Sequence, residues 1–115
     1  ALKFSAVSSA ATCSESATTM TYAQIMEFDM DSAEAIELMN KYAEEGKGVS
    51  YARRALVCAD RNRPGKIIQI VFFNSVEEAE LNNNLDVTQN AAAEFSAKVG
   101  DVQFTDLDVL AEVNL

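Results

Sequence analysis

Four stretches of the chain have the hydrophobic pattern of β-strands, and the segments between them include two with the spacing of amphipathic helices. In KIIQIVFF, residues 66–73, only Gln69 interrupts an apolar run on both faces. Residues 21–29 form a second predicted strand that is also mostly apolar on both sides, with its even-numbered side chains on one face and its odd-numbered side chains on the other. Both strands therefore need a covering layer on each face.

Two further strands and one turn complete the predicted sheet. Residues 49–59 are predicted to form a strand that reaches residues 66–73 through Pro64-Gly65. This dipeptide suits a type II turn, because proline fixes the first central φ and glycine accepts a positive φ at the next position. The last strand is predicted over residues 101–110, where apolar and polar positions alternate.

Capping residues mark the predicted helices. Asp31 with Glu34 has the spacing of a capping box, and the helix that it begins is predicted to end at Gly46. A second helix begins after Ser75, is interrupted by the sequence NNN, and restarts at Asp86. The residues of the first helix predicted to face the core are Ala35, Ile36, Met39, Tyr42 and Ala43.

The order strand, helix, strand, strand, helix, strand predicts an α+β protomer of the ferredoxin-like β-α-β-β-α-β type with an antiparallel sheet. Both helices then cover one face, and the first and third strands lie in the middle. Charged residues fall on the predicted edge strands, which is a common protection against misassociation: Arg53, Arg54, Asp106 and Asp108. The bare apolar face predicts a homodimer in which two sheets pack together.

Two segments of the sequence resemble the dimeric α+β barrel superfamily: VFFNSVEEAELNNNLDVTQNAAAEF and FTDLDVL. The predicted topology and the central strands with two apolar faces resemble it as well. This superfamily includes the antibiotic-biosynthesis-type monooxygenases, and the resemblance covers residues 21–110. It implies that two protomers pair their sheets into a barrel. It also implies a small-molecule pocket between the sheet and the helices of each protomer, although a fold alone does not determine function.

The composition indicates a single domain and argues against two classes of partner. The 115 residues are 49% hydrophobic, and we expect residues 1–20 to be an N-terminal extension and residues 21–115 to be the folded domain. A formal net charge of −9 disfavours nucleic acid and anionic membrane surfaces. No apolar run is long enough to span a bilayer, so no membrane association is expected.

Two cysteines, Cys13 and Cys58, are too few for a disulfide framework. We expect both to be free thiols in a reducing compartment, which predicts a cytoplasmic location. A single bridge between the N-terminal segment and the sheet is the alternative.

The chain contains no histidine. This excludes histidine-ligated haem, and it removes the commonest metal ligand and the usual general base near neutral pH. No phosphate-binding glycine loop or paired-cysteine motif is present, so no cofactor and no metal are predicted. The absence of tryptophan departs from several cofactor-free monooxygenases of the superfamily that the chain resembles.

Polar side chains within the apolar strands are the candidates for a site. Gln24 and Gln69 are predicted in central strands, where a buried amide needs a protein, water or ligand partner. Glu27 is a candidate general base if burial raises its pKa, and a solvated or paired carboxylate otherwise. Tyr22 is a second weak catalytic candidate, and Tyr51 could donate a phenolic hydrogen bond to a ligand; core packing is the alternative for both.

Arg53 and Arg54 are adjacent, so in a strand they point to opposite faces. An arginine that faces a pocket or a partner sheet needs an anion or a carboxylate beside it. Each is therefore a candidate ligand-binding residue or a member of a structural ion pair.

Two functions fit this pattern. The first is small-molecule binding, including a cofactor-independent, monooxygenase-like enzyme that acts on an apolar or aromatic metabolite. The second is a noncatalytic homodimeric interaction domain, whose apolar faces are entirely buried in the core and against the partner. A cavity between sheet and helices, lined by the candidate residues, favours the first function, and a filled core favours the second.

Overall fold

A computed structural model describes residues 20–115, and the predicted extension up to residue 19, with Cys13, lies outside the described residues. Residues 20–115 form four strands and three helices in the order predicted, with the second helical region divided in two. The elements are β1 (Tyr22–Asp29), α1 (Ser32–Glu45), β2 (Arg54–Ala59), β3 (Lys66–Phe73), α2 (Val76–Asn83), α3 (Asp86–Lys98) and β4 (Gln103–Asp108). No helix in this part of the chain has the length and apolarity needed to cross a membrane.

The strands form one antiparallel sheet in the order β2-β3-β1-β4. The prediction that the first and third strands are central is confirmed, as is the ferredoxin-like topology. In the register of the two central strands Met26 lies opposite Gln69, and Phe28 lies opposite Ile67. Residues directly opposite share a face, so this register places Gln24, Met26, Phe28 and Gln69 on the same side of the sheet.

The core lies at one end of that side. It consists of Phe28, Ala35, Ile67 and Val99, with the ring of Phe95 from α3 packed edge-on against Phe28 at a centroid distance of 4.7 Å. Only 1% of the surface of Phe28 and of Ile67 is exposed. This cluster fixes α1 and α3 to the sheet near the ends of the central strands.

The capping predictions for α1 and α2 are confirmed. The Asp31 carboxylate accepts hydrogen bonds from the backbone N–H groups of Ala33 and Glu34, at 3.1 and 3.3 Å. The Ser75 hydroxyl accepts one from the N–H of Glu78, at 3.1 Å. These bonds satisfy N–H groups that have no partner inside the helix.

The inward face of α1 differs from the prediction. Ala35 and Leu38 are its buried residues, whereas Ile36, which we expected to face the core, is 52% exposed. The buried positions extend toward Met39 and Tyr42 with the spacing i, i+3, i+4 and i+7 of a single helix face. Ile36 lies about 100° around the helix from Ala35 and so falls outside this face.

Strand β2 is shorter than predicted, because a remote side chain holds the segment before it. The Oδ1 atom of Asn82 accepts hydrogen bonds from the Ser50 hydroxyl at 3.1 Å and from the Tyr51 N–H at 2.8 Å. Pairing with β3 begins only at Arg53, whose N–H donates to the Phe72 carbonyl at 2.8 Å. Tyr51 therefore lies in a loop and not in a strand.

Candidate functional site

A cavity of about 820 Å³ lies between the sheet and the helices. Side chains from the middle of the sheet, including Gln24 and Gln69, form one side of it. The helices contribute the other side, with residues such as Met39, Tyr42 and Phe95. Its volume falls within the range of about 300–1,000 Å³ that is typical of small-molecule sites.

Most of the side chains around the cavity are apolar. Three of the four methionines in the chain, Met26, Met30 and Met39, border it. Methionine is unbranched and polarizable, so it adapts to ligands of irregular shape and makes favourable contacts with aromatic rings. The lining therefore suits an apolar or aromatic ligand.

Gln69 lies near the middle of the sheet side of the cavity, on the central strand β3, and is partly buried. Its neighbour on the next strand is Met26, which offers no strong hydrogen-bonding group. Among residues 20–115 the side-chain amide of Gln69 has no hydrogen-bond partner. An unsatisfied amide costs about 1–3 kcal/mol when it is desolvated, so this group is available to a molecule that enters the cavity.

Gln24 borders the same cavity from β1, but its amide is held by a neighbour. The Nε2 atom of Gln24 donates to Oδ1 of Asp106, on the edge strand β4, at 3.2 Å. The Tyr22 hydroxyl donates to the same oxygen atom at 2.8 Å. Burial of Tyr22, followed by its hydrogen bond to Asp106, raises the pKa of this phenol to about 12. Tyr22 itself does not border the cavity.

The two candidate arginines lie at the start of β2, where both contribute to the cavity border. Arg53 forms an ion pair with Glu78 of α2, with 3.2 Å between Nη2 and Oε1. The guanidinium of Arg54 lies 5.8 Å from the centroid of the Phe72 ring, and the register places Phe72 directly opposite Arg54. Tyr51, in the adjoining loop, is not among the cavity-lining residues.

Glu27 lies on the other face of the sheet, because it is an odd-numbered residue of β1 whereas Gln24 is an even-numbered one. Its Oε1 atom is 3.1 Å from Nη2 of Arg63. The same arginine contacts Asp60 at 2.6 Å through Nε. The structure thus brings together Gln24, Gln69 and Arg53 around the cavity, and leaves Glu27, Tyr22 and Tyr51 outside it. Arg54 lies at the cavity border, but its guanidinium is beside Phe72, on the other face of the sheet.

No protein-family model matches the chain, and no curated protein matches its sequence. Its structure is nevertheless similar to solved structures. A candidate antibiotic biosynthesis monooxygenase from Deinococcus radiodurans matches with a TM-score of 0.65 at 14% identity, over 82% of this chain and 97% of that one. SnoaB, a cofactor-independent oxygenase from Streptomyces nogalater, matches with a TM-score of 0.68 at 9% identity, over 83% and 98%.

The chain has the fold of the antibiotic biosynthesis monooxygenases. The protein PA3566 from Pseudomonas aeruginosa has a similar structure, with a TM-score of 0.60 at 16% identity over 81% of this chain and 97% of that one. At these identities the similarity concerns the fold alone.

Several polar residues at the helix side of the cavity were not predicted from the sequence. Asn82, Asn83 and Thr88 border it from the region where α2 gives way to α3. The sequence NNN indicated only a break between helices. A polar break that follows a capped helix is a signal that this region also faces a cavity, but the signal is weak because loops are commonly polar.

Tyr42 contributes a phenol to the cavity from α1, and its hydroxyl donates to Oε1 of Glu94 at 3.4 Å. Lys41 holds the same carboxylate, with 2.8 Å between Nζ and Oε2. Burial, together with the charge of Glu94, raises the pKa of Tyr42 to about 12, so the phenol is neutral at physiological pH. The residues described contain no cluster of three or more metal-ligating side chains.

Proposed function

We propose that the cavity binds an apolar or aromatic small molecule, and that the protein acts on this ligand as a cofactor-independent, monooxygenase-like enzyme. The observation that carries the proposal is the amide of Gln69, partly buried in a largely apolar cavity and without a hydrogen-bond partner among residues 20–115. A ligand with one polar group would satisfy this amide while its apolar body displaces water from the methionine-rich lining.

The similarity to SnoaB supports the cofactor-independent part of the proposal, since that protein is described as a cofactor-independent oxygenase. Because the chain has no histidine, and so lacks the usual general base near neutral pH, the proposed reaction relies on binding and orientation of the ligand by amides and phenols. Glu27 is given no part in the reaction, because its carboxylate lies on the opposite face and pairs with Arg63.

A noncatalytic homodimeric role is the second candidate function, and the other face of the sheet favours it. That face carries Ile25, Ile68, Ile70 and Phe72 on the central strands. All three helices in residues 20–115 border the cavity on the opposite side, so none of them covers these residues. We propose that a second copy of the chain packs there, which is compatible with a ligand in the cavity.

The binding proposal is tested with 2-naphthol, an aromatic probe with one hydroxyl group, and with naphthalene, which has none. Titration calorimetry would measure the dissociation constants of the two probes for the wild type and for Gln69→Leu. Gln103→Leu is the matched control, because Gln103 is an exposed glutamine of β4 that lies opposite Glu27, on the face away from the cavity.

We expect one 2-naphthol molecule per protomer and about fivefold weaker binding by Q69L, which corresponds to one lost hydrogen bond of about 1 kcal/mol. Naphthalene should bind Q69L and the wild type equally well, and Q103L should bind both probes like the wild type. The proposal is contradicted if 2-naphthol does not bind, or if Q103L weakens binding as much as Q69L does.

A further inference from the structure

The Oδ1 atom of Asp106 accepts two hydrogen bonds, from the Tyr22 hydroxyl at 2.8 Å and from Nε2 of Gln24 at 3.2 Å. All three residues lie on the cavity side of the sheet, since Gln24 is directly opposite Asp106 in the register of β1 and β4. Of the three, only Gln24 borders the cavity. Asp106 can therefore affect a ligand through Gln24 without touching the ligand.

A carboxylate fixes which end of a neighbouring amide faces it. An ionised carboxylate only accepts hydrogen bonds, and an amide has a donating NH₂ end and an accepting oxygen. The NH₂ end of Gln24 must therefore face Asp106, which directs Oε1 of Gln24 away from the carboxylate. No group among residues 20–115 donates a hydrogen bond to this oxygen atom.

We propose that Asp106 is a positioning residue that orients Gln24, so that the cavity prefers ligands that donate a hydrogen bond to ligands that only accept one. The inference rests on the proposed binding function and adds a selectivity to it. Gln24 is then the specificity-determining residue, and its Oε1 atom is the acceptor for a hydroxyl or amino group of the ligand.

The bond to Asp106 also changes the hydrogen-bonding strength of the Gln24 amide. Donation to an anion shifts electron density toward the carbonyl oxygen, because hydrogen bonds in a chain polarise one another. The oxygen becomes a better acceptor and the remaining N–H a poorer donor. Charge-assisted hydrogen bonds are also stronger than neutral ones, which helps to hold this orientation.

No carboxylate among residues 20–115 fixes the orientation of the Gln69 amide, so Gln69 should not distinguish ligands that donate a hydrogen bond from ligands that only accept one. Its amide has no partner among the described residues, so it can present either end to a ligand. The preference for donors should consequently depend on the pair Gln24 and Asp106, although both glutamines border one cavity. Tyr22 supports the arrangement by donating a second hydrogen bond to the same oxygen atom of Asp106.

The experiment compares 2-naphthol, which can donate a hydrogen bond, with 2-methoxynaphthalene, which can only accept one. The readout is the ratio of their dissociation constants for the wild type and for Asp106→Asn (D106N). The side-chain amide that this substitution introduces would allow the Gln24 amide to turn either way, because it can both donate and accept. Asp108→Asn is the matched control, because Asp108 is an exposed aspartate on the same strand and face, opposite Tyr22, without a hydrogen bond to Gln24.

We expect the wild type and D108N to bind 2-naphthol about five- to tenfold more tightly than the methyl ether, the ratio that one hydrogen bond provides. In D106N this ratio should fall to about one to two. The inference is overturned if D106N keeps the wild-type ratio, or if D108N loses it as well. Failure of the wild type to bind either probe would instead overturn the proposed function, and the inference with it.

A second variant tests the same inference without changing Asp106. Gln24→Met keeps the length of the side chain and removes the acceptor, so its ratio should be about one. If Asp106 acts through Gln24, the double variant with D106N should have the same ratio as Gln24→Met alone. A further fall in the double variant, or a wild-type ratio in Gln24→Met, would contradict the proposed route through Gln24.

Discussion

Two glutamine side chains border the cavity, and they differ in their hydrogen bonding. Gln24 donates to Asp106, whereas the amide of Gln69 has no partner among residues 20–115. A ligand can therefore bond to the Gln69 amide without displacing a protein partner, whereas a ligand that bonds to the Gln24 amide meets a group already oriented by Asp106.

Two phenols beside the cavity predict how stability depends on alkaline pH. The folded-state pKa of both Tyr22 and Tyr42 is about 12, above the ordinary value of 10.0, with burial as the largest cause. The native protein therefore holds these protons after the unfolded chain has lost them. This contribution to the free energy of unfolding is complete below pH 10 and is lost as the pH rises toward 12.

The measurement is urea denaturation at intervals between pH 9 and pH 12. The wild type should lose stability over this interval more steeply than the double variant Tyr22→Phe, Tyr42→Phe, which has no phenolic proton at either position. An equal loss in the two proteins would show that the two phenols do not contribute in this way.

At the residue level, the sequence reveals candidates but not their partners. Gln69 stands out because it interrupts an apolar run, and the period of two in β1 separates Gln24 from Glu27. The bond between Gln24 and Asp106 joins residues 82 positions apart and depends on the register of β4, which the sequence pattern does not fix.

At the level of elements, local signals explain most boundaries. Asp31 and Ser75 begin their helices as predicted, because a capping side chain bonds to N–H groups two or three residues away. The start of β2 was wrong by five residues, since it depends on Asn82, which is 31 positions from Tyr51. Contacts of this range are set by the packing of α2 and cannot be inferred from the strand itself.

The turn between β2 and β3 contains a glycine whose backbone conformation disfavours any other residue. Gly65 has a φ of +85°, where a side chain is strained, and a Cβ atom added there would meet no neighbour within 4 Å. Gly65→Ala should therefore lower the free energy of unfolding by about 1 kcal/mol through backbone strain alone. Urea denaturation would measure the change.

Gly100→Ala is the control for the turn variant. A Cβ atom at Gly100 also meets nothing within 4 Å, and its φ lies outside the left-handed region. This variant should be neutral or slightly stabilising, because alanine restricts the unfolded chain. Equal destabilisation by both substitutions would contradict the assignment of strain to Gly65.

At the scale of the whole molecule, the sheet has one face toward the cavity and one face that no helix of residues 20–115 covers. The pattern of the central strands predicted a two-faced sheet, and the order of elements predicted the topology. The family resemblance implied a pocket between the sheet and the helices, but its size and lining could not be predicted, because they depend on how far α1 and α3 stand from the sheet. The residues that pack at one end, around Phe28, show where the helices are anchored.

The apolar sheet face with Ile25, Ile68, Ile70 and Phe72, which no helix of residues 20–115 covers, predicts assembly into a homodimer. Light scattering should give a mass near twice 12.5 kDa at micromolar concentration. Ile70→Lys, which puts a charge in the middle of the proposed interface, should give a monomer, because an unpaired buried charge is costly. Ile36→Lys should remain a dimer, because Ile36 is exposed on α1. A monomeric wild type would contradict the proposed interface.

The central claim, that a small molecule binds between the sheet and the helices, is tested most directly by methyl NMR during titration with 2-naphthol. Met26, Met30 and Met39 border the cavity, whereas Ile25, Ile68 and Ile70 lie on the opposite face of the sheet, so the two sets of methyl groups report on the two faces separately. We predict saturable shifts, and contacts with the probe, for the methionine methyl groups, with the isoleucine methyl groups unchanged. Contacts with the isoleucines alone, or no shifts in either set, would contradict the claim.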